Sequence, residues 1–337
     1  MPDCGSQIIL CDIPIRFDTY KGCSHRCSYC FITRNNKGTN ARVEVLERPG
    51  RLINFIEGKR GINTKWCDWD IPLHWGGMSD PFQPIEKEKR VSLECLKVFA
   101  ETQYPFVVST KGRLIADPEY LELIKKCNCV VQISLVSKLY NKYEKGAPSF
   151  DERLEMARTI SPYKRVIIRI QPYMTQVFYD VLNNIKIFSE AGVYGVTVEG
   201  LKSWKKLPGM IKLAGDMVYP VEILKEQFKA IRRAAHNVGL KFYAGENRLR
   251  NMGDDLCCCG IDGLGYRVST ANFNHYLYDR ENYKYTEKMK EKGTAGVFNA
   301  VMQTSSAVKF NADKSFKDIM ELYTKSKSKI KIMLPED

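Results

Sequence analysis

The chain has 337 residues, 44% of them hydrophobic and 27% charged, an ordinary globular balance with enough length for a substantial core of one domain or one and a half. No apolar run approaches the roughly 18 residues of a membrane span, and residues 1–10 lack the basic-then-apolar order of a signal peptide, so a cytoplasmic protein is expected. The formal charge of +13 is compatible with a phosphorylated or nucleic-acid partner, and equally with a solvated basic surface to which Lys325, Lys327, Lys329 and Lys331 contribute.

Short β-branched runs predict strands at 14–19, 72–75, 105–109, 130–135, 166–170 and 194–198. Between them, apolar residues recurring every three to four positions predict helices over 86–101, 118–126, 151–159 and 177–191. Leu93, Leu96 and Ala100, flanked by Phe99, show the period well. Six strands alternating with helices predict an α/β fold with a parallel sheet and right-handed crossovers. An open, partial (β/α)6 barrel fits, although periodicity alone does not separate it from a doubly wound sheet. After Gly200 the rhythm changes. Residues 201–220 read as a long Lys-, Gly- and Pro-rich connection, 221–238 as a helix, 241–244 as a short strand, and 265–337 as mixed helix and loop. The chain is therefore divided into a core, 1–200, and an α+β extension, 201–337, that completes the substrate site.

Twelve cysteines in a chain of this length do not suggest a secreted disulfide scaffold, which points to metal ligation by a clustered subset and buried thiols elsewhere. Cys23, Cys27 and Cys30 are that subset, with the spacing C-x3-C-x2-C directly after the first predicted strand. Three thiolates on one loop can ligate three irons of a [4Fe–4S] cubane and leave the fourth without a protein ligand. Zinc is the competing reading, but His25 does not stand at the paired spacing zinc sites use.

This loop, with Tyr29 just before its last cysteine, matches the signature of the radical S-adenosylmethionine (SAM) superfamily. The resemblance implies SAM bound at the open iron, its reductive cleavage to a 5′-deoxyadenosyl radical, and an external electron donor such as flavodoxin or ferredoxin. It also implies that Tyr29 lies near the adenine. Over residues 10–200 the chain is similar to the spore photoproduct lyase branch. Ser79 and Asp80 in Gly76-Gly-Met-Ser-Asp-Pro81, Lys111 in Ser109-Thr-Lys111, and Ser134 match that branch's SAM-contacting positions, while Gly76 and Gly77 would let backbone approach the cofactor. The stretch Tyr143-Glu-Lys-Gly-Ala-Pro-Ser-Phe-Asp-Glu-Arg153 resembles one of its signatures. Taken singly, each has a bland alternative as a turn glycine, a surface cation or a strand-end hydroxyl.

Two departures stand out. The branch places a hydrogen-returning cysteine where this chain has Gly77, and a radical-regenerating tyrosine where it has Phe31. The SAM-cleaving half is thus similar and the DNA-repair half is not. Among relatives without the repair cysteine the chain looks most like a queuine lyase, which releases queuine from queuosine or its 5′-monophosphate. In that reading Glu199 and Glu246, with Asp254 and Asp255 as further candidates, accept the N–H edge of the base. Cys257 and Cys258, in Gly253-Asp-Asp-Leu-Cys-Cys-Cys-Gly260, are candidate hydrogen-atom donors. A second cluster drawing on Cys4, Cys11 or Cys67, or plain buried thiols, are the other readings of that run. The alternative function is repair or modification of a base within DNA or RNA.

Overall fold

The computed structural model describes residues 2, 11–30, 32, 43–59, 71–213, 216–269 and 273–279. Its main sheet has seven parallel strands in the order β1 (Arg16–Phe17), β4 (Leu73–Trp75), β5 (Phe106–Thr110), β6 (Cys129–Ser134), β7 (Val166–Tyr173), β8 (Gly195–Gly200) and β11 (Lys241–Ala244). Two antiparallel ribbons stand apart: β2 (Tyr20–Lys21) with β3 (Glu44–Val45), and β9 (Ile211–Leu213) with β10 (Asp216–Val218). The ends of the main sheet, β1 and β11, do not pair, so the barrel is partial and open. All six expected strands are present. The seventh is the short strand at 241–244, which pairs with β8 as Phe242 with Val196 and Tyr243 with Thr197.

Side-chain alternation along the strands builds two different faces. Phe106 and Val108, Val131 and Ile133, Ile168 and Ile170, and Val196 and Val198 point into the large core under the helices. Val107, Val130 and Ile167 point to the concave side, where Ile13, Ile71, Tyr243, Cys257, Cys259 and Ile261 close over them as a second apolar cluster. The cysteine-rich run therefore floors the half-barrel. Further along the same strands, the concave residues turn polar: Ser109, Gln132 and Arg169.

Three departures from the expected elements have local causes. The helix expected over 86–101 is two, Glu86–Lys89 and Val91–Thr102, broken at Arg90 with φ +54°. The buried Glu86 carboxylate accepts the N–H groups of Ser92 and Leu93, each at 2.9 Å, and so caps the second helix from the first. Tyr20 and Tyr120 donate to the same carboxylate. The 201–220 connection contains the β9–β10 ribbon. Of the tail expected as mixed helix and loop, a short helix at Phe273–Tyr278 is described and 280–337 lie outside the described residues.

Gly76 turns the chain off β4 at φ +88°, and a Cβ there would stand 2.2 Å from the Ser109 carbonyl oxygen. A side chain is excluded both by backbone conformation and by the neighbouring strand end. Gly76→Ala should lose about 2–4 kcal/mol of stability in chemical denaturation. Unchanged stability would show that this turn relaxes freely.

Candidate active site

The loop carrying Cys23, Cys27 and Cys30 has no helix or sheet of its own beyond a turn in which the Cys30 N–H donates to the Cys27 carbonyl at 3.1 Å. Its shape comes from two other segments. From the turn after β4, Gln83 Oε1 accepts the Ser24 N–H at 2.8 Å, while Gln83 Nε2 and the Ser79 hydroxyl donate to the Gly22 carbonyl. From the segment after β6, the Tyr143 carbonyl accepts the Ser28 N–H at 2.8 Å, and Gly146 exchanges backbone and side-chain hydrogen bonds with His25. Gly146 is needed for that approach, since a Cβ would lie 2.5 Å from the Ser24 carbonyl oxygen.

Asp80 ties these segments to a third. Its carboxylate accepts the Phe82 N–H at 2.9 Å, the Thr110 hydroxyl at 2.7 Å and the Lys111 N–H at 2.6 Å, and lies 3.2 Å from His25 Nε2. Burial alone would raise its pKa; the His25 contact and the hydrogen bonds from Lys111 and Thr110 overcome that and hold it at about 2. Asp18 supports the same turn by accepting the Met78 and Ser79 N–H groups, and its burial pushes it up to about 7 despite them. Ser79 and Asp80 thus help hold the cysteine loop through these hydrogen bonds.

The 143–153 stretch forms the other brace. Ser149 and Glu152 make a reciprocal capping box that starts the helix Phe150–Ile160. Arg153, one turn in, is 1% exposed and donates to Glu144 and to the Ser134 carbonyl, the latter at 2.7 Å. Glu144 also accepts the Tyr29 hydroxyl. Burial and the Glu144 charge push the Tyr29 pKa upward, so its ring is fixed as a neutral phenol beside the cysteines. Lys111 Nζ lies 3.9 Å from Glu144 and 6.0 Å from the centre of the Tyr29 ring. The Ser134 hydroxyl has no partner among the described residues and is free to donate. Tyr29 and Lys111 thus meet at Glu144, and Ser134 is linked to them through Arg153. Glu144, Arg153, Gln83 and His25 supply the bracing; in the sequence only the 143–153 signature and the place of His25 inside the cysteine loop point toward any of them.

Below the cysteines a polar lane crosses the concave face. Ser109 Oγ donates to Gln132 Oε1 at 2.9 Å and lies 3.0 Å from both His74 Nε2 and Arg169 Nη1. Arg169 Nε donates to Gln171, Gln171 Nε2 donates to Glu199 at 2.7 Å, and Lys202 donates to Glu199 at 2.9 Å. Glu199 ends this chain of hydrogen bonds, its side chain partly exposed. Glu246 does not: it and Arg248 are a buried pair at 2.8 Å, with both side chains 1% exposed. Asp254 is held by His236, Arg232 and the Phe242 N–H, away from the lane. Asp255 caps the Cys257 N–H at 2.6 Å.

Cys257 and Cys259 lie in the apolar floor, and Cys258 is half-buried beside Arg250. A hydrogen bond from Cys259 and the Arg250 charge together lower the Cys258 pKa, although burial opposes them. Cys11 touches Cys259 in the same cluster, whereas Cys4, Cys67 and Phe31 lie outside the described residues.

The donor set at Cys23, Cys27 and Cys30 suits a multi-iron cluster. Burial pushes the Cys23 thiol up to about 12 and raises Cys27, so thiolates there require adjacent cationic iron. Among the described residues no three His, Cys, Asp or Glu side chains converge to hold a single metal ion. Three thiols serving three separate irons need not converge in that way.

The sequence model of the radical SAM superfamily matches residues 18–201, more than half of the chain. The chain belongs to the radical SAM superfamily. This radical SAM enzyme accordingly uses a [4Fe–4S] cluster and SAM. A spore photoproduct lyase with bound AdoMet and dinucleoside spore photoproduct superposes with a TM-score of 0.53 at 16% identity, covering 69% of this chain and 76% of that one. A second structure of that lyase, complexed with dinucleoside spore photoproduct, gives 0.52 over the same shares. These likenesses establish the partial-barrel fold. Uncharacterized proteins of Mycobacterium bovis and Mycobacterium tuberculosis are 25% identical over 206 residues, or 56% of this chain. The chain spans 59% of the length of those relatives. No helix among the described residues is long and apolar enough to cross a membrane.

Two outcomes test the bracing. Arg153→Met strands the buried Glu144 carboxylate and should cost about 3–5 kcal/mol, most of it recovered in Glu144→Leu/Arg153→Met. Equal losses in the single and double variants would remove the ion pair from the account. Asp80 has a folded pKa of about 2 against an ordinary 3.8, so its contribution is present above pH ~4 and lost as pH falls toward 2. Acid titration of the cluster-free protein should show a shallower loss over that window in Asp80→Asn than in wild type.

Proposed function

We propose that this enzyme is a radical SAM lyase for a modified nucleoside or nucleotide, releasing queuine from queuosine or queuosine 5′-monophosphate. The observation that carries the reading is Glu199, a partly exposed carboxylate at the end of the polar lane, steadied by Gln171 and Lys202 and still able to accept further N–H donors. The fold's likeness to a lyase whose structure holds a dinucleoside lesion supports a nucleoside-sized chamber. Gly77 supports a substrate other than that lesion, since no thiol stands there.

In this reading Cys23, Cys27 and Cys30 hold the cluster, and Tyr29, Lys111 and Ser134 line the SAM pocket. When bound, the cluster supplies the electron that splits SAM. Ser134 and Lys111 offer donors to the SAM carboxylate, and the Glu144–Arg153 pair keeps both beside the cysteines. Gly76 and Gly77 let backbone approach without a side chain. Glu199 orients the base so that the sugar faces the SAM pocket, which converts radical attack into a positioned, unimolecular step.

The test is anaerobic incubation of reconstituted enzyme with SAM, dithionite and four substrates: queuosine, its 5′-monophosphate, intact tRNA and a dinucleoside lesion. Queuine and 5′-deoxyadenosine, measured by mass spectrometry, should appear from the first two only. Alanine at Cys23, Cys27 and Cys30 should abolish both products, and Glu199→Ala should lose queuine while retaining slow SAM cleavage. Conversion of tRNA or the lesion, with none of the free nucleoside or nucleotide, would replace this reading by polymer repair or modification, which the charge of +13 would then serve.

A further inference from the structure

We propose that His74 and Arg16 form a hydroxyl-binding site on the concave face that takes a sugar diol edge of the substrate, with His74 Nδ1 as a bare acceptor. The inference rests on the reading that the chamber holds a nucleoside, and it specifies which part of that nucleoside meets which atoms.

The hydrogen-bond order along the lane fixes the His74 tautomer. Gln132 Nε2 reaches the Cys259 carbonyl at 3.4 Å, so the amide oxygen, Oε1, faces Ser109. An amide oxygen only accepts, so the Ser109 hydroxyl donates to it at 2.9 Å. Arg169 Nη1 only donates and occupies one Ser109 lone pair at 3.0 Å. The lone pair that remains faces His74 Nε2 at 3.0 Å, which must therefore carry the ring hydrogen. Burial, with the Arg169 and Arg16 charges in the same direction, holds the ring down to about 3, so it does not take a second proton.

Nδ1 is then an unprotonated nitrogen without a partner among the described residues. It faces the space at Gly77, where an added Cβ would stand 3.9 Å from it and 3.3 Å from Arg16 Cδ. Arg16 lies level with His74 on the adjacent strand, and its buried Nε has no partner among the described residues. The site thus offers one acceptor beside a donor-only guanidinium. A phosphate or carboxylate would satisfy Arg16 but set its own lone pairs against Nδ1. A hydroxyl satisfies both, donating to Nδ1 while its oxygen, or that of its neighbour, accepts from Arg16. Two adjacent hydroxyls fit this pattern, and a side chain at 77 would fill the space they need.

Nuclear magnetic resonance of holoenzyme labelled with ¹⁵N-histidine, its cluster oxidised and diamagnetic, tests this directly. With four histidines in the chain, loss of one set of signals in His74→Gln assigns the resonance. The expected result is a neutral ring with Nε2 protonated and Nδ1 bare. Its Nδ1 signal should move on adding at least one of queuosine, guanosine, adenosine or uridine at millimolar concentration, and stay in place with 2′,3′-dideoxyguanosine. The KM of any nucleoside that is turned over should rise roughly tenfold in His74→Gln. A protonated Nδ1, or no movement with any of the four nucleosides, overturns the proposal. If queuosine is converted while Nδ1 stays silent, the hydroxyl site falls and queuine release stands. If another ribonucleoside moves Nδ1 while queuosine is inert, the reverse holds.

Discussion

The buried Glu144–Arg153 pair is the contact on which the rest of the site depends. A loop that must present three thiols cannot also satisfy its own backbone through a helix or a ladder. Something outside it has to supply that order. Arg153 reaches the end of β6 through the Ser134 carbonyl, Glu144 reaches the cysteine loop through Tyr29, and their mutual charge makes the two attachments one object. Buried ion pairs are weak sources of net stability, but their directionality makes them good at specifying geometry. Here the geometry specified is the distance between the cysteine loop and the strand that carries Ser134.

The second constraint is the alternation of the strands, which sorts residues onto the helix-covered and concave faces without any further device. On the concave face, the change from Val107, Val130 and Ile167 to Ser109, Gln132 and Arg169 occurs within two residues on each of three adjacent strands. An apolar floor and a polar lane are thus consequences of one step along neighbouring chains. The 257–261 segment completes the floor, so the region beyond β8 contributes to the chamber as directly as the strands do.

Most of the architecture is legible in the sequence because periods of 2 and 3.6 residues survive in it. Helix 118–126 is recovered to the residue, since Pro at its start and a Lys pair at its end mark both limits. The split at Arg90 is not legible: it depends on Glu86 gathering N–H and O–H groups from Tyr20, Ser92, Leu93 and Tyr120, contacts that span up to 66 residues. The site divides in the same way. The cysteine spacing and the strand-end motifs are local and visible. Ser79 and Asp80 stand out in the sequence by their position after β4, but the partners they hold, Gly22, Thr110, Lys111 and His25, are ones only the fold brings near. Glu246 has the right chemistry for a base-binding carboxylate, and its pairing with Arg248 two residues on is a rotamer outcome that spacing does not dictate.

The apolar floor has a geometric consequence. A half-barrel closed at one end works as a depth gauge. A ligand seated on the segment that covers Val107, Val130 and Ile167 would have its far end set at a height decided by its own length. The cysteine loop, braced at the opposite end, sets the other mark on the scale. Selection by size would then need no dedicated contact, because a ligand too short would leave its far end low, and one too long could not seat at all.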